Sequence, residues 1–500
     1  MTAPSHLRAR RRTWPQRLVV LVGCVLVAFC VGTAGVAGYI GIRFGQIDRV
    51  PDLALDERAA GEPANYLLVG TDSREGIDAD DPDAGGFLGD TGCNCTDTIM
   101  VLRVDPEAEE AYLLSFPRDL YIPISGTGKT SRINTAHAHG VQTLIDTIQD
   151  NFAVPIHHYV EIDFKGFQDL VDAVGGVPLW FDAPVRDRHT GLDIPTAECQ
   201  VLNGEQARKF VRSRYLEYKD EDGEWQPDGT ADLGRITRQQ VFVRRAVAKA
   251  VNQGLSNPVT LNELVSAGVA NVSFDDALNA SDLLSIGSAF ANFDSDDLIG
   301  YSIPTESMTT SAGAMVELPL MRKAANALSV FRGLPPGTIT PESIDVTVLN
   351  GTGVTGQAAD VAGALGAVGF YILDVDSLSE ETVARTTIRY GYGTYPAARL
   401  VARHITGGAA LEYDPSLNEE GDGVVVITGA DFTTVHDQPS PEGSADDLLS
   451  TTTTVAPEST TTVAGASPTS STTSTTIPET TTTTVIGYST GEPPDGVDCS

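Results

Sequence analysis

Five hundred residues are too many for one hydrophobic core, and a prior of roughly 150 residues per domain suggests two or three units plus connecting material. The formal net charge of −34, from 67 acidic against 33 basic side chains, argues against nucleic acid as a partner, because such binding needs a basic surface to neutralise phosphates. An acidic, soluble exterior fits that balance better.

Arg8, Arg10, Arg11, Arg12 and Arg17 precede an uncharged apolar run from Leu18 to Ile42. A run of roughly 25 residues at about 1.5 Å each spans a bilayer, so residues 18–42 are expected to be a transmembrane helix. The basic cluster keeps residues 1–17 cytoplasmic and sends everything after Arg43 outside. The competing reading is a cleaved signal peptide ending in the small residues Ala34–Gly38, but the apolar run exceeds the usual h-region of roughly 7–15 residues. The expected location is therefore the cell membrane, single-pass, with the folded part extracytoplasmic.

Cys24 and Cys30 fall in that helix and read as small apolar residues. Cys93, Cys95, Cys199 and Cys499 would meet an oxidising compartment. A Cys-x-Cys bridge is strained, so the expectation is that Cys93 or Cys95 joins Cys199. No Cys-x-x-Cys pair argues for zinc.

Residues 43–64 read as a polar neck. Asn65–Gly70 (NYLLVG) reads as a buried strand ending in the Gly70–Arg74 loop, and Ile77–Cys95 as a Gly- and Asp-rich insertion. Thr98–Val104 and Ala111–Phe116 flank Asp105–Glu110, a run with turn chemistry, and are predicted to pair antiparallel. If Val104 faces Ala111, counting along both strands brings Asp97 opposite Arg118 and beside Asp119, within a residue or two of register. Two carboxylates and an arginine at strand ends suit Mg²⁺ shared with a phosphate. The bland alternative is a salt bridge at a hairpin mouth.

Arg132 and Asn134 lie in a loop entering a helix that runs to Asp150, with Val141, Leu144, Ile145 and Ile148 on its apolar face. His137 and His139 read as polar helix residues rather than ligands, since no third ligand is spaced near them. A strand at Val160–Asp163, a helix around Phe167–Val174 and a strand at Leu179–Phe181 follow, and this alternation implies an α/β layered domain with a mixed central sheet.

Leu202–Arg245 concentrates arginine and lysine in an otherwise acidic protein. Arg212 and Arg214 are two apart, while Asp232, Arg235 and Gln239 at i, i+3, i+7 form one polar stripe on a helix. Forked donors with an amide and a carboxylate suit a phosphate site; a solvated helix face is the alternative. The acidic loop Lys219–Gly229 reads as a solvated flap. Short helices at Leu261–Val269 and Ala277–Phe290 and a strand at Leu298–Ile303 complete a domain expected over residues 65–333, and residues 334–343 form a linker.

A second, small α/β unit is expected over residues 344–432. It has strands at Asp345–Leu349, Tyr371–Val375 and Val424–Ile427 and helices at Ala358–Val368 and Pro396–His404. Its Gly351-x-Gly353-x-x-Gly356 loop matches a dinucleotide fingerprint. The unit holds under about 100 residues, room for only one mononucleotide half, and tight turns with close packing explain the glycines, so no dinucleotide is expected. Residues 433–500 are rich in Thr, Ser and Pro and read as a disordered tail, with an O-glycosylated stalk as one form of it.

Six separated stretches carry a resemblance: NYLLVGTDSR, TDTIMVLRVDP, SFPRDLYIPI, INTAHAHG, DFKGFQDLVDAVGGV and LNGEQARKFVRSR with DLGRITRQQ. In this order behind an N-terminal apolar helix, they resemble the LytR-CpsA-Psr family from about Asn65 to Ala250. Ile344–Phe432 resembles the LytR C-terminal domain. The resemblance implies an αβα fold with an apolar pocket for a polyprenyl tail. It also implies a Mg²⁺-dependent phosphotransferase that moves a glycopolymer from a polyprenyl-pyrophosphate carrier to peptidoglycan, at a membrane. On this sequence the implied metal carboxylates are Asp97 and Asp119. The implied pyrophosphate ligands are Arg118, Arg132, Arg212, Arg214, Arg235 and Gln239, and the implied catalytic groups are Arg118, Asp119 and Asp232. Asp232 reads either as base for the acceptor hydroxyl or as a helix N-cap. The chain departs from the family pattern at His137, often aromatic, and at Val141, often glycine, which bears on the pocket edge. Two other functions compete: a pyrophosphatase acting on the same lipid carrier, and a non-enzymatic wall-glycan-binding protein. A regulator of transcription is disfavoured, because residues 1–17 cannot form a helix-turn-helix.

Overall fold

The computed structural model describes residues 45–59, 61–71, 96–254, 258–279, 282, 298–378, 383–418, 423–441, 491–494, 497 and 499. The expected membrane helix, the Ile77–Cys95 insertion with Cys93 and Cys95, and most of the helix expected at Ala277–Phe290 lie outside them. Among the described residues no helix is long and apolar enough to cross a membrane.

The first domain opens with β1 (Asp48–Val50), β2 (Ala64–Thr71), β3 (Thr96–Asp105) and β4 (Glu110–Ser115). The small hairpin of β5 (Tyr121–Ile124) and β6 (Lys129–Arg132) leads through two 3₁₀ turns to α1 (Val141–Phe152), β7 (His158–Asp163) and α2 (Phe164–Ala173). Next come β8 (Val177–Phe181), β9 (Val185–Asp187), β10 (Leu192–Ile194), β11 (Glu198–Leu202), α3 (Gly204–Arg212), β12 (Glu217–Lys219) and β13 (Trp225–Pro227). The long α4 (Ala231–Gly254), α5 (Pro258–Asn271), β14 (Val272–Asp275), β15 (Leu298–Ser302), β16 (Thr305–Thr309), β17 (Met315–Pro319) and α6 (Met321–Phe331) complete it.

Among the described residues the central sheet has seven strands in the order β1-β14-β7-β2-β3-β4-β15. It is mixed: β2 pairs antiparallel with β3 but parallel with β7, and β4 pairs parallel with β15. Strand alternation sorts the core. Leu67, Val69, Ile99, Val101 and Leu114 share one core with Leu144, Ile145 and Ile148 of α1 and Leu328 and Phe331 of α6. Tyr66, Met100, Val104 and Leu113 share another with Val243 and Val247 of α4 and Val269 of α5. Helices on both faces of one sheet make the αβα sandwich. A third cluster, around Leu179, Phe181, Phe210 and Phe242, packs the β8–β11 ribbon and α3 against α4.

The second domain has β18 (Asp345–Asn350), α7 (Gln357–Val368), β19 (Tyr371–Ser377), β20 (Thr387–Tyr390), α8 (Tyr395–His404), β21 (Ala410–Tyr413) and β22 (Val424–Thr428). Its sheet runs β19-β18-β22-β20-β21. A Cβ at Gly351 would stand 2.5 Å from the Thr428 carbonyl oxygen, so close packing accounts for the first glycine of the loop.

Several expectations need correction. The neck is part of the sheet, since β1 pairs in parallel with β14 and Leu53 and Leu55 pack on the core. Cys199 is bonded to Cys499 rather than to Cys93 or Cys95. The tail is not free throughout: Val435 bridges Ile405 beside the second domain, and Gly491 bridges Trp180 of β8. The acidic loop is exposed over most of its length, as expected of a solvated flap, but it is ordered. Its strands β12 and β13 form a ladder, Arg186 stacks 3.9 Å from the Trp225 ring, and Asp228 at its base is buried against Arg238. His137 and His139 sit in a 3₁₀ turn ahead of α1, with His137 buried.

Candidate functional site

The β3–β4 turn sets the site. Val104 faces Ala111, and the backbone ladder runs to Met100 opposite Ser115. Beyond it Arg118 donates to the Asp97 carboxylate, and Arg118 Nε lies 3.7 Å from Asp119. The Arg118 carbonyl accepts from Asn134 N–H at 3.2 Å, which ties this loop to the 3₁₀ turn after β6. From the end of β6, Arg132 reaches Asp119 at 3.3 Å.

The other half comes from α3 and α4. Asn203 and Gln206 form a capping box that starts α3. Ser213 then leaves the helix in an extended conformation and turns Arg214 away from Arg212. Arg214 reaches Asp232 at 2.8 Å and Asp119 at 3.9 Å. Asp232 sits in the first turn of α4, where a carboxylate complements the helix dipole. The helix begins at Ala231, so Asp232 lies inside it rather than at the cap position, and it pairs with Arg235 at 3.1 Å. Gln239, two turns on, donates at 3.1 Å to both Thr98 Oγ1 and the Val211 carbonyl.

Asp97, Arg118, Asp119, Arg132, Arg214, Asp232 and Arg235 therefore form one continuous network, with Gln239 fixed to the adjoining backbone. Arg212 does not join it through these contacts: its guanidinium lies 4.5 Å from the Phe164 ring. Burial pushes the Arg235 guanidinium down to about 10, with Asp232 opposing the shift. The group still carries a full charge at neutral pH. Arg214 Nη2 is taken up by Asp232 at 2.8 Å, whereas Arg118 Nε and Arg235 Nε are buried with no hydrogen-bond acceptor among the described residues. Such donors, aimed into one cluster, suit an anion with several oxygens.

Asp187, Arg238 and Asp228, behind this network, carry no signal in local sequence. The Asp187 carboxylate, fully buried, accepts from Ser213 Oγ at 2.6 Å and from the backbone N–H groups of Arg214, Tyr215, His189 and Thr190. Burial raises its carboxyl, yet those hydrogen bonds outweigh burial and hold it below its ordinary value. Arg238, 2% exposed, pairs with Asp228 at 2.9 Å and donates to the Ser213 carbonyl at 2.8 Å. Together they clamp the turn that presents Arg214. Beside the 3₁₀ turn, the Tyr159 hydroxyl donates to Glu161 at 2.7 Å, and His137 lies 3.7 Å from the same carboxylate.

A cavity of about 640 Å³ is lined by Asp52, Asp56, Glu57, Arg58, His157 and Asp275, among others. It lies at the opposite end of β2 and β7, because Tyr66 pairs with His158 there whereas Thr71 pairs with Thr96 at the Asp97 end. Its acidic lining does not suit an apolar tail.

The model described as the LytR_cpsA_psr family matches residues 45–328, and that described as LytR cell envelope-related transcriptional attenuator matches residues 343–432. The chain is 33% identical over 252 residues to the probable cell wall biosynthesis protein LcpB of Corynebacterium glutamicum, covering 50% of this chain and 55% of that protein. To the cell wall biosynthesis protein LcpA of the same organism it is 26% identical over 471 residues, 83% of this chain and 86% of LcpA. To the polyisoprenyl-teichoic acid–peptidoglycan teichoic acid transferase TagU of Enterococcus faecalis it is 33% identical over 242 residues, 48% of this chain and 71% of TagU. The chain thus spans about half the length of LcpB.

Proposed function

The chain belongs to the LytR_cpsA_psr family, and from that premise we propose that it is a membrane-anchored phosphotransferase moving a glycopolymer from a polyprenyl-pyrophosphate carrier to peptidoglycan in cell-wall assembly. One observation carries this reading. Arg118, Arg132, Arg214 and Arg235 are linked through Asp97, Asp119 and Asp232 at one end of the sheet, and Arg118 and Arg235 each keep a buried Nε–H without an acceptor among the described residues. Planar forks match pyrophosphate oxygens bidentately and spread the charge that builds on them as the anhydride breaks. The similarity to TagU, a polyisoprenyl-teichoic acid–peptidoglycan teichoic acid transferase, fits this substrate class.

In the proposed step a sugar hydroxyl of peptidoglycan attacks the phosphorus on the glycan side of the pyrophosphate. A new P–O bond forms, the P–O–P bond breaks, and polyprenyl phosphate leaves with the bond's electron pair. Asp232 takes the hydroxyl proton, while Arg214 and Arg235 hold its carboxylate in place. Arg118 and Arg132 bind the pyrophosphate.

Asp97 and Asp119 are the residues that would hold Mg²⁺. They supply two hard carboxylates that share Arg118, and a magnesium site takes one or two carboxylates with substrate oxygens and water. When bound, the ion would supply positive charge to the phosphoryl oxygens. Asp119 would share its lone pairs with the ion and faces three arginines, Arg118, Arg132 and Arg214, against two at Asp232, which makes Asp232 the better base of the two.

The test supplies full-length protein with a synthetic polyprenyl-pyrophosphate glycan and peptidoglycan. Glycan phosphate on the acceptor and released polyprenyl phosphate are expected. Free glycan phosphate without ligation would establish a pyrophosphatase instead, and binding without turnover a wall-glycan-binding protein.

A further inference from the structure

Far along the chain from the arginine cluster, a short segment returns to the first domain and meets it in three independent ways. Gly491 exchanges two backbone hydrogen bonds with Trp180 of β8: Trp180 N–H donates to its carbonyl at 3.2 Å and Gly491 N–H donates back at 2.8 Å. Glu492 lies 3.2 Å from Arg244 and 3.6 Å from Arg245, both on α4. Cys499, 4% exposed, is disulfide-bonded to Cys199 of β11 across a sequence separation of 300 residues.

These contacts converge on one rung, because Cys199 faces Trp180 in the β8–β11 ribbon. The ribbon therefore has β11 on one edge of β8 and Gly491 bonded to the same Trp180. The approach to α4 is too close for a side chain: Gly491 has φ +110°, and a Cβ there would stand 2.5 Å from Val241 Cγ1. Val241 and Phe242 belong to the cluster that packs α4 on β8. The same helix carries Asp232, Arg235 and Gln239 in its first turns.

We propose that Gly491, Glu492 and Cys499 are the anchor points of a strap which the chain docks on its own first domain, pinning α4 to the β8–β11 ribbon and closing residues 199–499 into one covalent loop. In sequence the loop contains the whole second domain and the Thr/Ser-rich stretch. The disulfide restricts the unfolded chain, the backbone bonds cover β8, and the glutamate answers two adjacent arginines on α4. Opening the bond takes two electrons and two protons, which a dithiol supplies as it becomes a cyclic disulfide. The strap holds α4 whatever reaction the arginine cluster performs.

Hydrogen exchange of the full-length protein tests this, with Cys499→Ser removing the bond and Gly491→Val disturbing the docking while leaving both cysteines. The wild type is expected to give a Cys199–Cys499 cross-linked peptide without reduction and to protect peptides covering β8 and residues 241–254. Each variant is expected to speed exchange in those peptides by about tenfold, and to leave the β3–β4 hairpin unchanged. The melting temperature of Cys499→Ser should fall by about 5 °C. Absence of the cross-linked peptide, or wild-type exchange in both variants, overturns the proposal. Should a variant fail to fold, dithiothreitol added to folded wild type decides it. Faster exchange confined to β8 and α4 supports the strap, and unchanged exchange after complete reduction refutes it.

Discussion

Arg118, in the loop after β4, donates to the carboxylate of Asp97 on β3, beyond the last backbone hydrogen bond between the two strands, from Phe116 N–H to the Ile99 carbonyl at 3.0 Å. The side chains thus continue a pairing that the backbone has given up, and they do so where two further carboxylates and three further arginines gather. About a quarter of each side chain is exposed, 25% and 23%, so the contact adds little to stability, on the order of 1 kcal/mol. Its value is placement.

Arg118→Ala is accordingly expected to lower ligated glycopolymer about 100-fold or more while shifting stability by no more than about 1 kcal/mol. Arg118→Lys should not restore it, since an ammonium cannot reach two oxygens as a planar fork does. Initial rates in the ligation assay beside urea denaturation check both halves.

Chelation should stop transfer, and Mg²⁺ should restore it. Asp97→Ala is expected to raise the Mg²⁺ concentration for half-maximal rate by about tenfold or more, since one of two protein carboxylates is gone. A magnesium titration of each variant reads this directly, and an unchanged midpoint would remove Asp97 from the metal set.

Asp187→Asn is nearly isosteric but points an amide donor at N–H groups that Asp187 accepts from. A loss of about 2–4 kcal/mol is expected, because buried donors lose their acceptor. The Arg214 turn should loosen with it. Urea midpoints give the first effect, and a lower rate constant at saturating substrate gives the second.

The Arg238–Asp228 pair is almost wholly buried, at 2% and 3% exposure. Removing either partner alone is expected to cost about 3–5 kcal/mol, as it leaves an unpaired charge inside the protein. Replacing both, Arg238→Met with Asp228→Leu, should cost less than either single change. Denaturation of the three variants completes the cycle.

Stability should fall on the acid side through His157. Burial pushes its imidazole down from 6.5 to about 4, and its Nδ1 accepts the Asn65 N–H at 2.9 Å, which requires the unprotonated nitrogen. The unfolded chain takes up the proton first. The contribution is therefore intact above about pH 6.5, drains away as pH falls towards about 4, and is flat below; it amounts to roughly 2–3 kcal/mol. Urea midpoints measured across that window should slope in the wild type and flatten in His157→Gln.

Much of this was legible along the chain. The β3–β4 hairpin follows from a short turn between two apolar runs, and once the turn is placed every later pair is fixed by counting; that is why Asp97 and Arg118 could be brought together before any fold was known. The spacing of Asp232, Arg235 and Gln239 needs only a helix. In the second domain, β18, α7 and α8 announce themselves by local pattern, whereas β20 and β21 are four-residue strands that become strands only by pairing with partners elsewhere.

The sequence by itself determined the local elements, the hairpin register and the residue types that meet phosphate, because each depends on neighbours a few positions away. Only the tertiary structure decided which distant groups share a site. It set Arg212 on an aromatic ring while Arg214 turned towards Asp119, it buried Asp187 and Asp228 behind them, and it joined Cys199 to Cys499. Those outcomes depend on how helices and ribbons pack across hundreds of residues, and a pairing between positions 199 and 499 leaves no periodicity in the chain that could announce it.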